Sequence, residues 1–356
     1  MKALITAGRS NKLRPLTYNK NKHLIELANK PMLFYALEKV VSAGITDIGV
    51  IIAEGDREIP AAVEAFTRKL ETKVIFIEQH GCLRGIAHAI QQAQNFLGNE
   101  PFMLYLGDNI INDDIAKLRE RFETSGANCL LTISKVSKPE RFGVPEFDSM
   151  GRIVRVEERP IQPKSPYAVA GLYFYDANVH KAYPYLKPSF RGDYEISDLH
   201  TWLAQNGYDI QHAEITEWWK DRGTAEDMLV GNAMALKNIE NKNYGSIEQS
   251  VRLESTVQIG AGTKIGGNTL IRGPVAIGEY CLIKDSYIGP NTSIGNKVEL
   301  HGAEIENSIV YEEVSITATK KIADSIIGEN SVISNADHEK PKGIRLIIGD
   351  SSSISI

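Results

Sequence analysis

The last third of the 356-residue chain repeats a short motif in which isoleucine is followed by glycine. The first five copies are spaced by 6, 12, 11 and 6 residues, which indicates a six-residue step. The copies are Ile259-Gly260, Ile265-Gly266, Ile277-Gly278, Ile288-Gly289, Ile294-Gly295, Ile327-Gly328 and Ile348-Gly349. This repeat is typical of a parallel β-helix, in which each coil turns three corners. We expect the isoleucines to point into the core and the glycines to permit the tight turns.

The preceding part of the chain has a different pattern, in which short apolar runs alternate with helical patterns. Residues 3–5, 48–52 and 102–106 are predicted to be buried strands, and residues 32–43 an amphipathic helix. This alternation predicts a Rossmann-like, mostly parallel α/β sheet whose ligands bind beyond the carboxyl ends of the strands. We predict an α/β domain over residues 1–235, a polar linker over 236–248 and a left-handed parallel β-helix over 249–356.

Charge and cysteine content exclude several classes of protein. Lysine and arginine total 40 against 45 acidic residues, so the chain lacks the basic excess of a nucleic-acid-binding protein. Its 3 cysteines have no metal-ligand spacing, which favours a reducing compartment. No stretch approaches the roughly 20 apolar residues of a membrane span, and the N-terminus lacks a signal-peptide pattern. We therefore expect a cytoplasmic protein with no membrane partner.

The loop after the first strand, residues 6–17, contains Gly8 and several hydrogen-bond donors. Backbone N–H groups of such a loop can surround phosphates. A single glycine after a strand is commonplace, so a solvated turn is the alternative at this point.

Further motifs occur in an order and spacing that is far more specific. They are Leu13-Arg14-Pro15-Leu16-Thr17, Lys22-His23-Leu24-Ile25, Asn29-Lys30-Pro31-Met32, Ile77-Glu78-Gln79, Gly85-Ile86-Ala87-His88-Ala89, Leu106-Gly107-Asp108-Asn109, Arg141-Phe142-Gly143-Val144, Glu158-Arg159-Pro160, Arg191-Gly192-Asp193-Tyr194-Glu195-Ile196-Ser197-Asp198 and Trp218-Trp219-Lys220-Asp221-Arg222-Gly223. With the hexapeptide extension, the chain closely resembles the sugar-1-phosphate nucleotidyltransferases over essentially its whole length. Within them it is most similar to the long-form glucose-1-phosphate thymidylyltransferases.

The resemblance implies a set of catalytic residues. Asp108 and Asp221 match the aspartates that hold the divalent metal, for which oxygen ligands suit Mg²⁺. Lys22 matches a lysine that contacts phosphates, and Arg159 stands where the family usually has a lysine for the sugar phosphate. Lys12 replaces the arginine that braces the pyrophosphate, in a loop one residue shorter than usual. A turn role for Asp108 and a helix-cap role for Asp221 are the alternatives from local pattern alone.

The resemblance also implies the two substrate pockets. The nucleotide-binding set is Ala7, Gly8, Gln79, Gly85 and Asp108, in which the Gln79 amide reads the pyrimidine edge. The sugar-phosphate-binding set is Gly143, Glu158, Arg159 and Gly171, and the carboxylate of Glu158 suits hexose hydroxyls. His88 is expected to be a core or capping histidine, and Trp218 and Trp219 are expected to pack rather than stack on a base.

The function implied is transfer of a nucleotidyl group from dTTP, or UTP, to a sugar 1-phosphate such as glucose 1-phosphate, with release of pyrophosphate. Four alternatives stay open: a sensor or partner subunit that binds a sugar nucleotide, a nucleotidyltransferase for an unusual acceptor, acyl transfer by the β-helix, and a scaffold without activity. A homo-oligomer assembled through the β-helix is also expected.

Overall fold

The computed structural model describes residues 1–8, 13–14, 16–17, 20–68, 70–81, 85–220, 224–317 and 320–334, with only the backbone at positions 219 and 220. By its internal contacts the chain divides into two compact units. The first combines Met1–Ser10 with Met32–Lys220, and the second combines Asn11–Pro31 with Asp221–Ile356. The domain boundaries at residues 235 and 248 stay predictions.

A seven-stranded sheet forms the centre of the first unit. Its strands are β1 (Lys2–Ala7), β2 (Asp47–Ala53), β3 (Lys73–Gln79), β4 (Phe102–Leu106), β5 (Cys129–Lys135), β6 (Tyr167–Tyr175) and β7 (Ile210–Glu214). They lie in the order β7-β5-β6-β4-β1-β2-β3. Only β6 runs antiparallel to its neighbours β4 and β5. The predicted mostly parallel α/β sheet is confirmed.

Helices and short ribbons surround this sheet. The helices are Met32–Ser42, Glu58–Thr67, Ile86–Gln92, Gln94–Leu97, Ile115–Ser125 and Ile196–Gln205. The antiparallel ribbons pair Gly143–Phe147 with Ile153–Glu158, and Asn109–Ile111 with Trp218–Lys220. All five residues of β4 are buried. Because successive strand residues point to opposite faces, both faces of the sheet are covered there. Among the described residues, no helix combines the length and apolar character that crossing a bilayer requires.

The order of the strands locates the ligand edge. From β1 the chain moves to β2 and β3 on one side, and then returns to place β4 on the other side of β1. Ligands of such sheets bind where the strand order reverses, beyond the carboxyl ends of the strands. Gly8 follows β1 and Gly107 follows β4, and the Gly107 N–H donates to Thr6 O at 3.0 Å. These two strand ends therefore form the expected binding edge.

A buried histidine in the first unit predicts sensitivity to acid. His200 has no exposed surface, and its Nε2 lies 2.6 Å from the Tyr175 hydroxyl. Burial lowers the pKa of His200 to about 3. The unfolded chain, with a histidine pKa near 6.5, therefore binds the proton first, and folding stability is lost as the pH falls below that value.

Between pH 6.5 and pH 4 we expect the His200 contribution to lower the free energy of unfolding by roughly 3 kcal/mol. Denaturant titrations of the wild type and His200→Gln over this range measure it, because the variant lacks the titrating group. The prediction would be contradicted if the free energy of unfolding of the wild type fell no more steeply with decreasing pH than that of the variant.

Three stacks of short parallel strands form most of the second unit. The first stack consists of Lys242–Asn243, Val257–Ile259, Val275–Ile277, Thr292–Ile294, Ile309–Val310 and Ile326–Ile327. The second consists of Ser246–Ile247, Lys264–Gly266, Leu282–Lys284, Glu299–His301, Ser315–Thr317 and Val332–Ser334. The third consists of Arg252–Glu254, Leu270–Arg272, Tyr287–Ile288, Glu304–Glu306 and Lys321–Ala323. Ile265 pairs with Ile283, Ile283 with Leu300 and Leu300 with Ile316, so successive coils take 18, 17 and 16 residues. The predicted parallel β-helix is confirmed.

The glycines of the repeat have a different role from the predicted one. Gly260 and Gly278 do not have positive φ angles, so the expectation that they permit the tight turn is wrong. A Cβ on Gly260 would lie 2.5 Å from the carbonyl carbon of Gly278 in the next coil. The glycines therefore permit close stacking of coils. Left-handed residues lie two positions after five of these glycines, at Gly262, Tyr280, Asn291, Lys297 and Asn330.

The second unit also contains an early part of the chain and one long helix. Residues Lys22–Leu24 form a 3₁₀ turn, and Glu26–Leu27 pairs with Lys30–Pro31 as a small antiparallel ribbon. The helix Ala225–Leu236 begins at Thr224, whose side chain accepts a hydrogen bond from Asp227 N.

Candidate active site

Asp108 lies at the ligand edge and is held by its neighbour. The Asn109 side chain donates to Asp108 Oδ1 at 2.7 Å and accepts from Trp218 Nε1 at 2.7 Å. Asn109 has no exposed surface. The carboxylate is therefore oriented by a buried chain of hydrogen bonds that runs from an indole through an amide. Trp218 packs against the ring of Phe142, which fits its expected packing role. It also donates the hydrogen bond to Asn109.

Gly171 contributes to the same arrangement. It lies in β6, where the register with β5 shifts between Val169 and Tyr173. A Cβ at this position would lie 2.5 Å from Asn109 Cγ. Glycine is therefore required at position 171 because the side chain of Asn109, which holds Asp108, lies against it. The role of Gly171 in the sugar pocket stays a prediction.

The ribbon that begins at Asn109 leads to the second predicted metal ligand. Asn109 pairs with Lys220, and Ile111 pairs with Trp218. Asp108 precedes this ribbon in sequence, and Asp221 follows it. Asp221 lies outside the described residues, and so does Lys12.

Glu158 is the centre of a second cluster. Ser197 Oγ donates to Glu158 Oε2 at 2.8 Å, and a terminal nitrogen of Arg191 lies 3.4 Å from Oε1. Arg159 Nε lies 3.6 Å from the same oxygen. A Cβ on Gly143 would lie 2.7 Å from Ser197 Oγ and 3.4 Å from Glu158 Oε2. The structure therefore brings together Gly143, Glu158 and Arg159, which the sequence assigned to the sugar phosphate.

Arg191 and Ser197 have no role assigned by the sequence, although both lie in a motif that carries the resemblance. Arg191 donates to Glu195 Oε1 at 2.8 Å as well as approaching Glu158. Burial, and then the charges of Glu195 and Glu158, raise the pKa of Asp198. This is a region of concentrated negative charge, in which Arg191, Arg159 and Arg155 supply compensating cations.

Tyr173 connects the two clusters. Its ring is buried, and its pKa is raised by burial first and then by the carboxylates of Glu158 and Asp108. The phenol therefore stays protonated at neutral pH. The two clusters are neighbours, because Trp218, which binds Asn109, also lies 5.4 Å from the ring of Phe142, the residue before Gly143.

Gln79 and Gly85 form a third group at the end of β3. Gln79 Nε2 donates to Gly85 O at 3.1 Å and lies 3.0 Å from His88 Nδ1. On the other side of the ring, Gln92 Nε2 lies 3.3 Å from His88 Nε2, so amide nitrogens flank both nitrogens of the imidazole. Burial also lowers the pKa of His88. These contacts fit the expected structural role of His88, which fixes the orientation of the Gln79 amide.

The remaining predicted residues lie at the end of β1 and in the second unit. Ala7 ends β1 and is buried. Gly8 is half-buried, and a Cβ there would meet no atom of the described residues within 4 Å. Lys22 belongs to the second unit and is 4% exposed. Its 3₁₀ turn is capped by Asn21, whose Oδ1 accepts from His23 N at 3.0 Å.

Comparison with known proteins identifies the family. Residues 2–238 match the family model described as nucleotidyl transferase. The chain belongs to the nucleotidyl transferase family. As a nucleotidyltransferase it is 40% identical to a glucose-1-phosphate thymidylyltransferase of Streptomyces antibioticus, across 100% of this chain and 99% of the relative. It is 34% identical to the low-salt glycan biosynthesis nucleotidyltransferase Agl11 of Haloferax volcanii, across 99% of both chains.

A third relative extends over the β-helix. The bifunctional protein GlmU of Methanocaldococcus jannaschii is 30% identical over 92% of this chain and 77% of its own length. The matches to the Streptomyces antibioticus and Haloferax volcanii proteins, which cover nearly the whole of both chains, confirm the predicted resemblance. The family confirms the prediction of a nucleotidyltransferase enzyme.

The donor set of this nucleotidyltransferase fits a divalent metal, which its family typically uses. Asp108 supplies carboxylate oxygen at the ligand edge. Within the described ranges no three His, Cys, Asp or Glu side chains cluster as a complete metal cage. Mg²⁺ is usually held by one or two carboxylates together with substrate phosphates and water, so a complete cage is not required.

Proposed function

We propose that this nucleotidyltransferase transfers a nucleotidyl group from dTTP or UTP to glucose 1-phosphate. The observation that carries the proposal is that the Asp108 and Glu158 clusters are adjacent, since Trp218 binds Asn109 and contacts Phe142, the residue before Gly143. One carboxylate is at the phosphate-binding edge of the sheet, and the other has the hydrogen-bonding chemistry that a hexose requires. The relatives named as thymidylyltransferases support the same substrates.

The reaction is an in-line displacement. A phosphate oxygen of the sugar 1-phosphate attacks the α-phosphorus, the bond from that phosphorus to the bridging oxygen breaks, and its electron pair leaves with pyrophosphate. No covalent enzyme intermediate is required. The chain orients the two substrates and compensates their charge, with Arg159 at the sugar phosphate and with Lys22 and Lys12 at the triphosphate. A Mg²⁺ ion on Asp108 and Asp221 would neutralise phosphate charge.

The contacts of Gln79 support a pyrimidine that carries a ring N–H. Its Nε2 is already engaged by Gly85 O and His88. Among the described residues no donor reaches its Oε1, so this oxygen can accept from a base. Thymine and uracil both offer N3–H, whereas cytosine has only an acceptor at N3. The proposal therefore names dTTP and UTP, whose ring N3–H can donate to this oxygen.

Glu158 is proposed to accept hydroxyl groups of the sugar. We expect Glu158→Gln to raise the KM for glucose 1-phosphate by about 10- to 100-fold, because a hydrogen bond to a charged acceptor contributes about 1.5–3 kcal/mol. The KM for the triphosphate should change little. Initial-rate measurements of pyrophosphate release with each substrate varied separately test this expectation.

Glu157 offers a matched control for that substitution. Its side chain is 40% exposed, and it lies 3.7 Å from Arg155. Glu157→Gln removes the same charge one residue away and should leave both KM values unchanged. Equal effects of the two variants would argue against a sugar contact at Glu158.

The test of the function is a matrix of nucleoside triphosphates against sugar phosphates, with Mg²⁺, monitored for pyrophosphate. We expect release with dTTP or UTP and a hexose 1-phosphate. Binding of a sugar nucleotide without release from any triphosphate would instead support a sensor, and release only with other phosphorylated acceptors would support the unusual-acceptor alternative. No described contact favours acyl transfer. The cytoplasmic location, the homo-oligomer through the β-helix and the absence of nucleic-acid and membrane partners stay predictions.

A further inference from the structure

The segment of residues 20–31, called here the docked segment, packs within the second unit together with the β-helix. It follows the loop that contains Lys12, and it includes Lys22, which is proposed to contact the triphosphate. Its chain continues directly into the helix Met32–Ser42. Whatever fixes this segment therefore also fixes the backbone that carries Lys22.

Asn232 joins the docked segment to the β-helix. It lies in the helix Ala225–Leu236 and has no exposed surface. Its Oδ1 accepts from Ala28 N at 2.8 Å and from Ser293 Oγ at 2.9 Å. Its Nδ2 donates to Asn291 O at 3.0 Å. One buried amide thus connects the segment, the helix and the stacked strands.

Three further contacts tie the segment along the β-helix. Asn29 Nδ2 donates to Ile294 O at 2.7 Å, and the Tyr311 hydroxyl donates to Glu26 O at 3.3 Å. Lys20 Nζ lies 2.9 Å from Glu329 Oε1. Positions 294, 311 and 329 are 17 and 18 residues apart, which is one coil each. The segment therefore spans three successive coils.

The turn of the docked segment depends on these contacts for its conformation. Ala28 and Asn29 have φ angles of 49° and 60°. A left-handed conformation is unfavourable for alanine and persists when its surroundings determine it. The N–H of Ala28 and the side chain of Asn29 are the groups that bind Asn232 and the β-helix.

We infer that the β-helix is a positioning element for the Lys22 segment, with Asn232 and Asn29 as the positioning residues that hold this segment in the conformation that binds a triphosphate. The inference rests on the proposed function, because it assigns the triphosphate to Lys22. The helix that carries Asn232 also follows Asp221 in sequence.

The test uses Asn232→Asp and the milder Asn29→Asp. Each keeps the size of the side chain and removes one amide donor to a β-helix carbonyl. We expect the KM and the Kd for Mg·dTTP to rise about tenfold, as expected for one lost hydrogen bond, while the KM for glucose 1-phosphate stays within about twofold. Steady-state kinetics and calorimetry measure the two constants separately.

Thr269→Val is the matched control. Thr269 is 1% exposed and donates to Gly266 O at 2.6 Å inside the β-helix, away from the docked segment. It should lower the free energy of unfolding without changing either constant for Mg·dTTP. Unchanged dTTP constants in folded Asn232→Asp and Asn29→Asp, or an equal rise in Thr269→Val, would overturn the inference. Turnover of the wild type tests the proposed function separately, and the dTTP Kd tests positioning even without turnover.

Discussion

Asp108→Asn is expected to lower kcat by at least about 10³-fold and to leave the protein folded. The loss follows because a neutral amide is a poor ligand for a divalent cation and supplies no negative charge to a metal bound to the phosphates. The fold is retained because an asparagine at position 108 can still offer its carbonyl oxygen to Asn109 Nδ2, which now lies 2.7 Å from Asp108 Oδ1. Pyrophosphate release in the presence of Mg²⁺ measures the change, and thermal unfolding confirms that the variant is folded.

Asp324→Asn controls for the change in net charge. Asp324 is exposed on the β-helix and accepts from Asn307 Nδ2 at 2.6 Å. Its replacement should leave turnover unchanged. Wild-type kcat in a folded Asp108→Asn variant would remove the basis for the proposed metal site.

Gly85→Ala is expected to have the second largest effect, a loss of about 3 kcal/mol or more of stability together with weaker binding of dTTP. Gly85 has a φ angle of 98°, and a Cβ there would overlap the backbone carbonyl oxygen of Tyr194. The same residue accepts the hydrogen bond from Gln79. Moving this backbone therefore disturbs the amide proposed to read the base, and it adds steric overlap to the unfavourable backbone conformation.

Gly81→Ala separates the cost of the steric overlap from the cost of the unfavourable backbone conformation. Gly81 has a φ angle of 94°, close to that of Gly85, but a Cβ there meets no atom of the described chain within 4 Å. It therefore measures the conformational cost alone. Denaturant unfolding and dTTP calorimetry of both variants should show a clearly larger loss for Gly85→Ala. Equal losses would mean that the contact with Tyr194 has no role.

The periodic parts of this fold can be predicted from sequence because each repeats one physical requirement. The continuous apolar runs of β1 and β4 specify strands buried on both faces, and the isoleucines specify the interior of the coils. The glycine role is harder to predict. Glycine is favoured both in a tight turn and where two backbones lie close together. Only the contact between Gly260 and Gly278 of successive coils shows which requirement applies here.

The site could be predicted only in part for a related reason. Asp108 and Glu158 are recognisable because they lie in motifs of a known family, but nothing in local pattern indicates which residues support them. Asn109 is adjacent to Asp108 but is itself held by Trp218 from a distant segment, and Ser197 and Tyr173 come from segments far from the carboxylates in sequence. Ser197 reaches Glu158 across 39 positions in sequence, and such a partner depends on how β-strands and helices assemble.

The docking of residues 20–31 has a consequence for biosynthesis on the ribosome. Lys20 leaves the ribosome early, yet its partner Glu329 is 309 positions further along. At translation rates of about 5–20 residues per second, roughly 15–60 s separate the two. The nascent enzyme therefore carries the Lys22 region without its supporting surface for most of its synthesis.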